Sequence, residues 1–235
     1  MGDLINIEID GQIHQVKKDI NLVEALKELE IYIPTLCYFK DMGKCLGTCR
    51  VCSIRVNGRV SASCTLQTKQ NMQLEVNTPD LIDMRKELIE LLFVEGNHYC
   101  PGCERSGNCE LQATAYEMEM LVSRFHYRFN LKSIDYQADN ILFDHNRCIL
   151  CKRCSRRFWD QDGQRVFYFN GRGSHLKVEM DIERANMLSI ELLNDLVELC
   201  PVGAILKKGE GFSIPYGKRK YDKTPRSQCR GDQNE

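Results

Sequence analysis

The sequence predicts an α+β fold of three small modules followed by a polar tail. Three observations carry that prediction. Residues 1–77 alternate apolar and polar side chains around turn dipeptides, as a small sheet does. Residues 78–123 switch to helical spacing. The 13 cysteines fall into three groups of short, regular spacing, one in each of the segments 1–77, 78–123 and 124–208, apart from a cysteine in the tail 209–235.

In the first segment, Leu4 to Ile9 alternates with period two, Asp10-Gly11 follows, and Ile13 to Val16 continues. That pattern reads as a β-hairpin with a primed turn. Leu22, Val23, Ala25, Leu26 and Leu29 lie at helical spacing behind Asp19 and Asn21 as candidate caps, and Pro34 ends any helix there. Val51 to Val56, Asn57-Gly58 and Arg59 to Ala62 form a second hairpin, and Met72 to Val76 offers another strand. The second segment opens on Thr78-Pro79, a cap followed by proline at the first helical position. Leu81, Ile82, Met84, Leu88, Leu91 and Leu92 then mark an amphipathic helix that Gly96-Asn97 stops. A helix-like stretch runs from Glu110 to about Ser123. In the third segment, Arg165–Tyr168 and Leu176–Met180 read as strands around Gly171-Arg172-Gly173, and Leu188–Leu199 as a helix leading into Cys200-Pro201. The tail is polar and basic (Lys218, Arg219, Lys220, Lys223, Arg226, Arg230). It reads as a solvated tail or as a docking arm for a partner.

Composition narrows the function classes. A net charge of −1 argues for neither nucleic acid nor a membrane surface as partner. The start, with Asp3, Glu8 and Asp10 among alternating residues, lacks the basic and apolar regions of a signal peptide. Asn6 stands where a myristoylation signal carries Ser or Thr. Leu88 to Val94, the longest apolar stretch, is too short to span a bilayer. Those features predict a cytoplasmic, reducing setting in which cysteines bind metal rather than pair as disulfides. No G-x-G-x-x-G or G-x-x-x-x-G-K-[ST] motif provides for a nicotinamide or a nucleotide.

The first group is Cys37-x11-Cys49-x2-Cys52-x11-Cys64. A two-iron rhomb takes two ligands on each iron, and a close pair flanked by two distant cysteines suits it. The small residues of the loop Gly43–Thr48 let amide N–H groups approach cluster sulfurs. A zinc knuckle of four thiolates is the competing reading. Cys45 competes for the loop position, but taking it in place of Cys49 would lose the close pair, so it reads as a supernumerary thiol.

The second group is His98-x-Cys100-x2-Cys103-x5-Cys109. Three thiolates leave a four-iron cluster one ligand short, and His98 is the nearest candidate, since a neutral imidazole can replace a thiolate. The third group, Cys148-x2-Cys151-x2-Cys154 with Cys200-Pro201, places three thiolates on three corners of a cube and a remote C-P as the fourth. With no second C-x2-C-x2-C run near it, Cys200 is expected to return to the same cluster. The count closes at eleven cysteines and one histidine for one 2Fe-2S and two 4Fe-4S clusters, with Cys45 and Cys229 left over. Lys152, Arg153, Arg156 and Arg157 flank the third group, as solvent-facing charge or as an offset to a negative cluster. With no substrate motif beside these ligands, the chain reads as an electron carrier.

In this order the three groups resemble a known family. The likeness rests on Ile33-Pro34-Thr35-Leu36-Cys37-Tyr38, Cys45-Leu46-Gly47-Thr48-Cys49-Arg50-Val51-Cys52 and Glu95-Gly96-Asn97-His98-Tyr99-Cys100-Pro101-Gly102-Cys103. Cys109-Glu110-Leu111-Gln112, Arg147-Cys148-Ile149-Leu150-Cys151 and Leu199-Cys200-Pro201-Val202-Gly203 extend it. It resembles the N-terminal part of the large iron–sulfur subunit of respiratory NADH dehydrogenase and of iron-only hydrogenases. It is most similar to the diaphorase small (gamma) subunits of NAD-reducing nickel–iron hydrogenases, over residues 1 to about 225. The length leaves no room for an iron-only hydrogenase domain or a molybdopterin domain. One departure is visible: the family usually places its histidine four residues before the first cysteine, and that slot here is Gly96.

The resemblance implies a β-grasp ferredoxin-like first module, a small helical second module with one histidine and three cysteines, and a ferredoxin-like third. It implies a hetero-oligomer: a flavoprotein diaphorase subunit with FMN and the NAD site, and hydrogenase small and large subunits. An equivalent subunit of an NAD-dependent formate dehydrogenase or of an NADH–quinone enzyme remains open. So does a zinc-binding scaffold with no redox role.

Overall fold

The alternation in the first segment becomes a five-stranded sheet. A computed structural model describes residues 3–40 and 42–229; Met1, Gly2, Asp41 and tail residues 230–235, Arg230 of the basic run among them, lie outside it. Strands β1 (Leu4–Ile9) and β2 (Gln12–Lys17) pair antiparallel, with Ile5, Ile7 and Ile9 buried. The turn between them has positive φ at both Asp10 and Gly11, the primed geometry whose twist matches the strands. Helix α1 (Leu22–Glu28) begins at Asn21, whose side chain accepts a hydrogen bond from the Val23 N–H at 2.9 Å. It buries Leu22, Val23, Ala25 and Leu26, each large side chain contributing about 1.5–3 kcal/mol.

Strands β3 (Ser53–Val56) and β4 (Arg59–Ala62) form the second hairpin, and β5 (Gln73–Glu75) follows. The strand order is β2-β1-β5-β3-β4, with β1 and β5 parallel and the other pairs antiparallel. The chain between the two parallel strands carries α1 and all five cysteines of the first segment.

Helix α2 (Pro79–Glu95) is tied to that sheet by the Arg55–Asp80 ion pair at the surface and by one buried side chain. Arg85 is buried, and its guanidinium donates to the Ser53 carbonyl at 3.0 Å and the Val76 carbonyl at 2.5 Å. Thr78 occupies the cap position, although its hydroxyl makes no capping bond. Helix α3 (Glu110–Glu117) starts on Cys109, whose Sγ accepts from the Gln112 N–H at 3.5 Å. It stops short of the expected Ser123 because the chain turns at Glu119, which has φ 53°.

The third segment is built from β6 (Ile134–Asp135), β7 (Ile141–Asp144), α4 (Arg153–Arg157), β8 (Phe167–Asn170), β9 (Lys177–Met180), α5 (Ile182–Asn186), α6 (Ile190–Leu199) and β10 (Ile205–Lys207). One sheet runs β10-β7-β6; the other is the β8–β9 hairpin, with Phe167 opposite Met180. Pairing of β10 with β7 draws the end of the segment back beside its cysteine run. Helix α6 closes over the site with Leu193, Leu196 and Leu199 buried. A single apolar core runs through all three modules, from Ile5 through Leu111 to Ile205, with most of the cysteines inside it.

The reading of a solvated tail holds for residues 209–218, which are exposed, and needs correction for residues 219–229. Lys220 N–H donates to the Asn108 side chain at 2.9 Å, Tyr221 N–H to the Gly107 carbonyl at 2.8 Å, and Arg226 is 2% exposed. The tail docks, but onto its own second module. The physical reason is the half-buried Glu110 carboxylate, which takes Arg226 Nη2 at 2.6 Å and Arg153 Nη1 at 2.8 Å. Two guanidiniums around one carboxylate satisfy charges that burial alone would penalise.

Candidate metal centres

The first segment gathers five thiols, not four. Cys37, Cys45, Cys49, Cys52 and Cys64 are all buried. Cys49 Sγ lies 3.4 Å from Cys37 Sγ, and Cys45 Sγ lies 3.4 Å from Cys64 Sγ. Cys37, Cys45 and Cys64 sulfurs all lie within 4.8 Å of one another. Thiolates sharing one tetrahedral metal with bonds near 2.3 Å stand about 3.8 Å apart, so these separations suit ligands paired on a metal. The local fold sets the spacing. Cys52 precedes β3, and the Ser63 hydroxyl donates to the Cys52 carbonyl at 2.9 Å, which pins the single 3-10 turn carrying Cys64. Gly47 has φ +62° and lies against this turn; a Cβ there would stand 2.8 Å from the Thr65 methyl. A side chain at 47 would push the loop off the thiols.

The thiols share their protons unequally. Hydrogen bonds from Cys45, Cys49 and Cys64 hold the Cys37 thiol well below its usual range. Its bond from Cys64 brings Cys52 down to about 7. Contact with Cys37 pushes Cys64 up, and Cys45 up to about 11. A nest that already stabilises thiolate at Cys37 and Cys52 is chemically ready for a cation.

The second group sits between α2 and α3. Cys100 and Cys103 are half-buried and Cys109 is buried. Burial pushes Cys109 up to about 12, so this thiol keeps its proton until a metal takes its place. His98 is packed edge-on against Phe93, with ring centroids 5.2 Å apart. Its Nε2 is buried and makes no hydrogen bond. Burial, with Lys132 and Arg147 nearby, depresses its pKa to about 4, against a backbone bond to Leu92. The ring is therefore neutral, and the orphaned nitrogen is the kind of buried atom that a metal would satisfy. No hydrogen bond of the ring goes to the three thiols. At Gly96, a Cβ would stand 2.6 Å from the Asn146 carbonyl oxygen and 2.7 Å from His98 Nε2. The position where the family usually carries its histidine has no room for a side chain here.

The third group converges. Cys148, Cys151, Cys154 and Cys200 line one small apolar cavity, together with Phe143 and Phe169. The run before Cys154 is kept tight by left-handed backbone at Leu150 and Lys152. Burial raises all four thiols, Cys148 to about 12. The thiols are spread around a void rather than touching, as the corners of a cube require.

The basic residues beside this group divide. Arg153 is buried and grips Glu110 with both terminal nitrogens, at 2.8 and 2.9 Å. Arg156 donates to the Lys44 carbonyl at 3.1 Å, while Arg157 faces solvent. Arg147 joins Glu104 at 2.6 Å and Asp144 at 2.9 Å, which binds the residue after Cys103 to the residue before Cys148. Sequence reasoning missed Glu110 and Arg226, whose pairing has no periodic or motif signature. Cys229 is half-buried, in no disulfide, with its Sγ 3.8 Å from the Thr224 carbonyl oxygen.

The third group is in contact with each of the other two. Thr48 Oγ1, in the first loop, donates to the Cys151 carbonyl at 3.4 Å. Glu110 N–H, beside Cys109, donates to the Pro201 carbonyl at 2.8 Å. A Cβ at Gly203 would lie 3.2 Å from Cys103 Sγ. The third segment thus touches both of the others at their ligand loops.

Comparisons with known proteins agree with this layout. The family model for a 2Fe-2S iron-sulfur cluster binding domain matches residues 2–79. That for the NADH-ubiquinone oxidoreductase-G iron-sulfur binding region matches residues 85–124. That for the ferredoxin-like domain of NADH-quinone oxidoreductase subunit 3 matches residues 138–206. These matches correspond to one 2Fe-2S and two 4Fe-4S clusters. The chain is 47% identical over 219 residues to the NAD-reducing hydrogenase HoxS subunit gamma of Cupriavidus necator, covering 93% of each. It is 30% identical over 215 residues to the NADH-ubiquinone oxidoreductase 75 kDa subunit of Reclinomonas americana, spanning 30% of that protein. A chain in the crystal structure of an NAD+-reducing NiFe hydrogenase in the hydrogen-reduced state superposes with TM-score 0.86 at 34% identity, covering 95% of this chain and 96% of that one. By sequence, coverage and fold alike, the chain belongs to the family of NAD-reducing hydrogenase gamma subunits.

Proposed function

We propose that this chain is the electron-transfer subunit of an NAD-reducing, bidirectional hydrogenase. It works between a nickel–iron module of small and large subunits and a flavoprotein diaphorase that holds FMN and NAD. The observation that carries this reading is the placement of three metal-ligand groups inside one core, the third in contact with both others. Support for the setting comes from the thiols, which form no disulfides, and from the absence of any helix long and apolar enough to cross a membrane among the described residues. A cytoplasmic site follows from thiols that must stay reduced.

The ligands assigned are Cys37, Cys49, Cys52 and Cys64 for the two-iron cluster, in a β-grasp module. His98, Cys100, Cys103 and Cys109 serve one four-iron cluster, and Cys148, Cys151, Cys154 and Cys200 the other. When bound, the clusters supply one-electron transfer between sites on other chains. The protein's own part is to hold the groups together and keep water out. Cys37 with Cys49, and Cys52 with Cys64, present two pairs of sulfurs. The third group stands between the first and second, since Thr48 reaches it from one side and Pro201 and Gly203 reach the second group from the other. Arg147 and Arg153 offset negative charge at the two junctions.

The test is purification of the complex with metal analysis. About ten irons with matching acid-labile sulfide per chain, alongside a nickel-containing partner, are expected. A molybdenum- or tungsten-containing partner would move the chain to a formate dehydrogenase, and zinc without sulfide would end the redox reading.

A further inference from the structure

Five buried thiols converge where a two-iron cluster needs four. The fifth, Cys45, is 4% exposed, 3.4 Å from Cys64 Sγ and within 4.8 Å of Cys37 Sγ. It occupies the side of the nest where Cys64 sits. Both line one solvent-open cleft with Lys44 and Thr65, whereas Cys37, Cys49 and Cys52 are not among its walls. Their mountings differ. Cys64 is held on a 3-10 turn (Ser63–Thr65), while the described residues around Cys45, 42–50, have no helix or strand. A loop sulfur can shift by a fraction of its separation from Cys64 without disturbing the sheet.

We propose that Cys45 is an alternate ligand to the two-iron cluster, able to take the place of Cys64. This rests on the two-iron reading above. The exchange balances without an oxidant: the Cys45 sulfur forms a bond to iron as the Cys64 sulfur releases one. The proton leaving the Cys45 thiol passes to Cys64, its neighbour at 3.4 Å, and neither iron changes oxidation state. Cys37, Cys49 and Cys52 stay bound throughout. The consequence is a cluster that survives loss of the Cys64 sulfur.

Three variants of the full chain in its complex test this, read by EPR of the reduced two-iron centre and by iron and sulfide content. Cys45→Ala alone is expected to keep the signal. Cys64→Ala should retain more than about half of it, and Cys45→Ala/Cys64→Ala should lose it together with about two of ten irons. Loss of the signal in Cys64→Ala with both four-iron signals intact would overturn the proposal, as would its loss in Cys45→Ala. If Cys64→Ala does not accumulate, Cys64→Ser decides. Its resonance Raman spectrum should be all-thiolate, because iron prefers the Cys45 sulfur to a serine oxygen. An oxygen-ligated spectrum there overturns it. Absence of a two-iron signal from the unsubstituted complex would instead refute the underlying cluster assignment.

Discussion

The first and third thiol groups reach the same end by opposite routes. In the first, the sulfurs already touch, at 3.4 Å, within a nest framed by one sheet and one 3-10 turn. Hydrogen bonds between them hold Cys37 and Cys52 toward thiolate. In the third, four protonated thiols stand around a void, and burial raises every one of them. Cys200 arrives there across 45 intervening residues from Cys154, brought by α6 and the β7–β10 pairing. The first site is local and electrostatically prepared. The third is non-local, and it depends on packing and on its arginines.

The comparison is broken most severely at the third group. Cys151→Ala should abolish hydrogen-dependent NAD+ reduction, remove about four irons and leave the two-iron EPR signal intact. Retained turnover would mean that the third group does not lie between the others. Next, Glu110→Gln leaves Arg153 and Arg226 buried without a counter-charge. It should cost about 3–5 kcal/mol in denaturant unfolding of the complex-free chain and loosen the tail, seen as faster hydrogen exchange near Arg226. A loss below about 1 kcal/mol would show that the network contributes little, as exposed pairs do. His98→Cys should keep the second cluster and lower its potential, because an added thiolate makes it more negative. If His98→Ala left that cluster's EPR signal unchanged, the fourth ligand would have to be sought elsewhere. The smallest effect is expected from Thr48→Val. It removes one hydrogen bond between the first and third groups, for about 0.5–1.5 kcal/mol, with cluster content unchanged by iron analysis.

Much of the fold was legible because local rules governed it. Asp10-Gly11 and Asn57-Gly58 both take positive φ at their turns, and Asn21 caps α1 through its side chain. In the third segment the strands came out shifted. The first was expected at 165–168 and runs Phe167–Asn170, since its register is set by Met180 across the hairpin rather than by its own alternation. Helix α4 went unread because three of its five residues are arginines and the segment serves the cysteine turn rather than a hydrophobic face. Of the basic residues around Cys154, a sequence cannot separate Arg153 from Arg157. Only the position of Glu110 decides that one is buried and the other is not.

The fifth thiol marks the same boundary. Spacing by itself determined that the chain carries three groups of metal ligands, because thiolates must fall at short intervals to reach one cluster. It also determined that Cys45 is surplus to a count of four. Spacing did not determine where the surplus thiol goes. That was decided by tertiary structure: Gly47 lets the loop lie against the turn that holds Cys64, and two sulfurs 19 positions apart come to 3.4 Å. The basic tail was decided the same way. Its composition described a solvated segment, and the Glu110 carboxylate drew its Arg226 into the core.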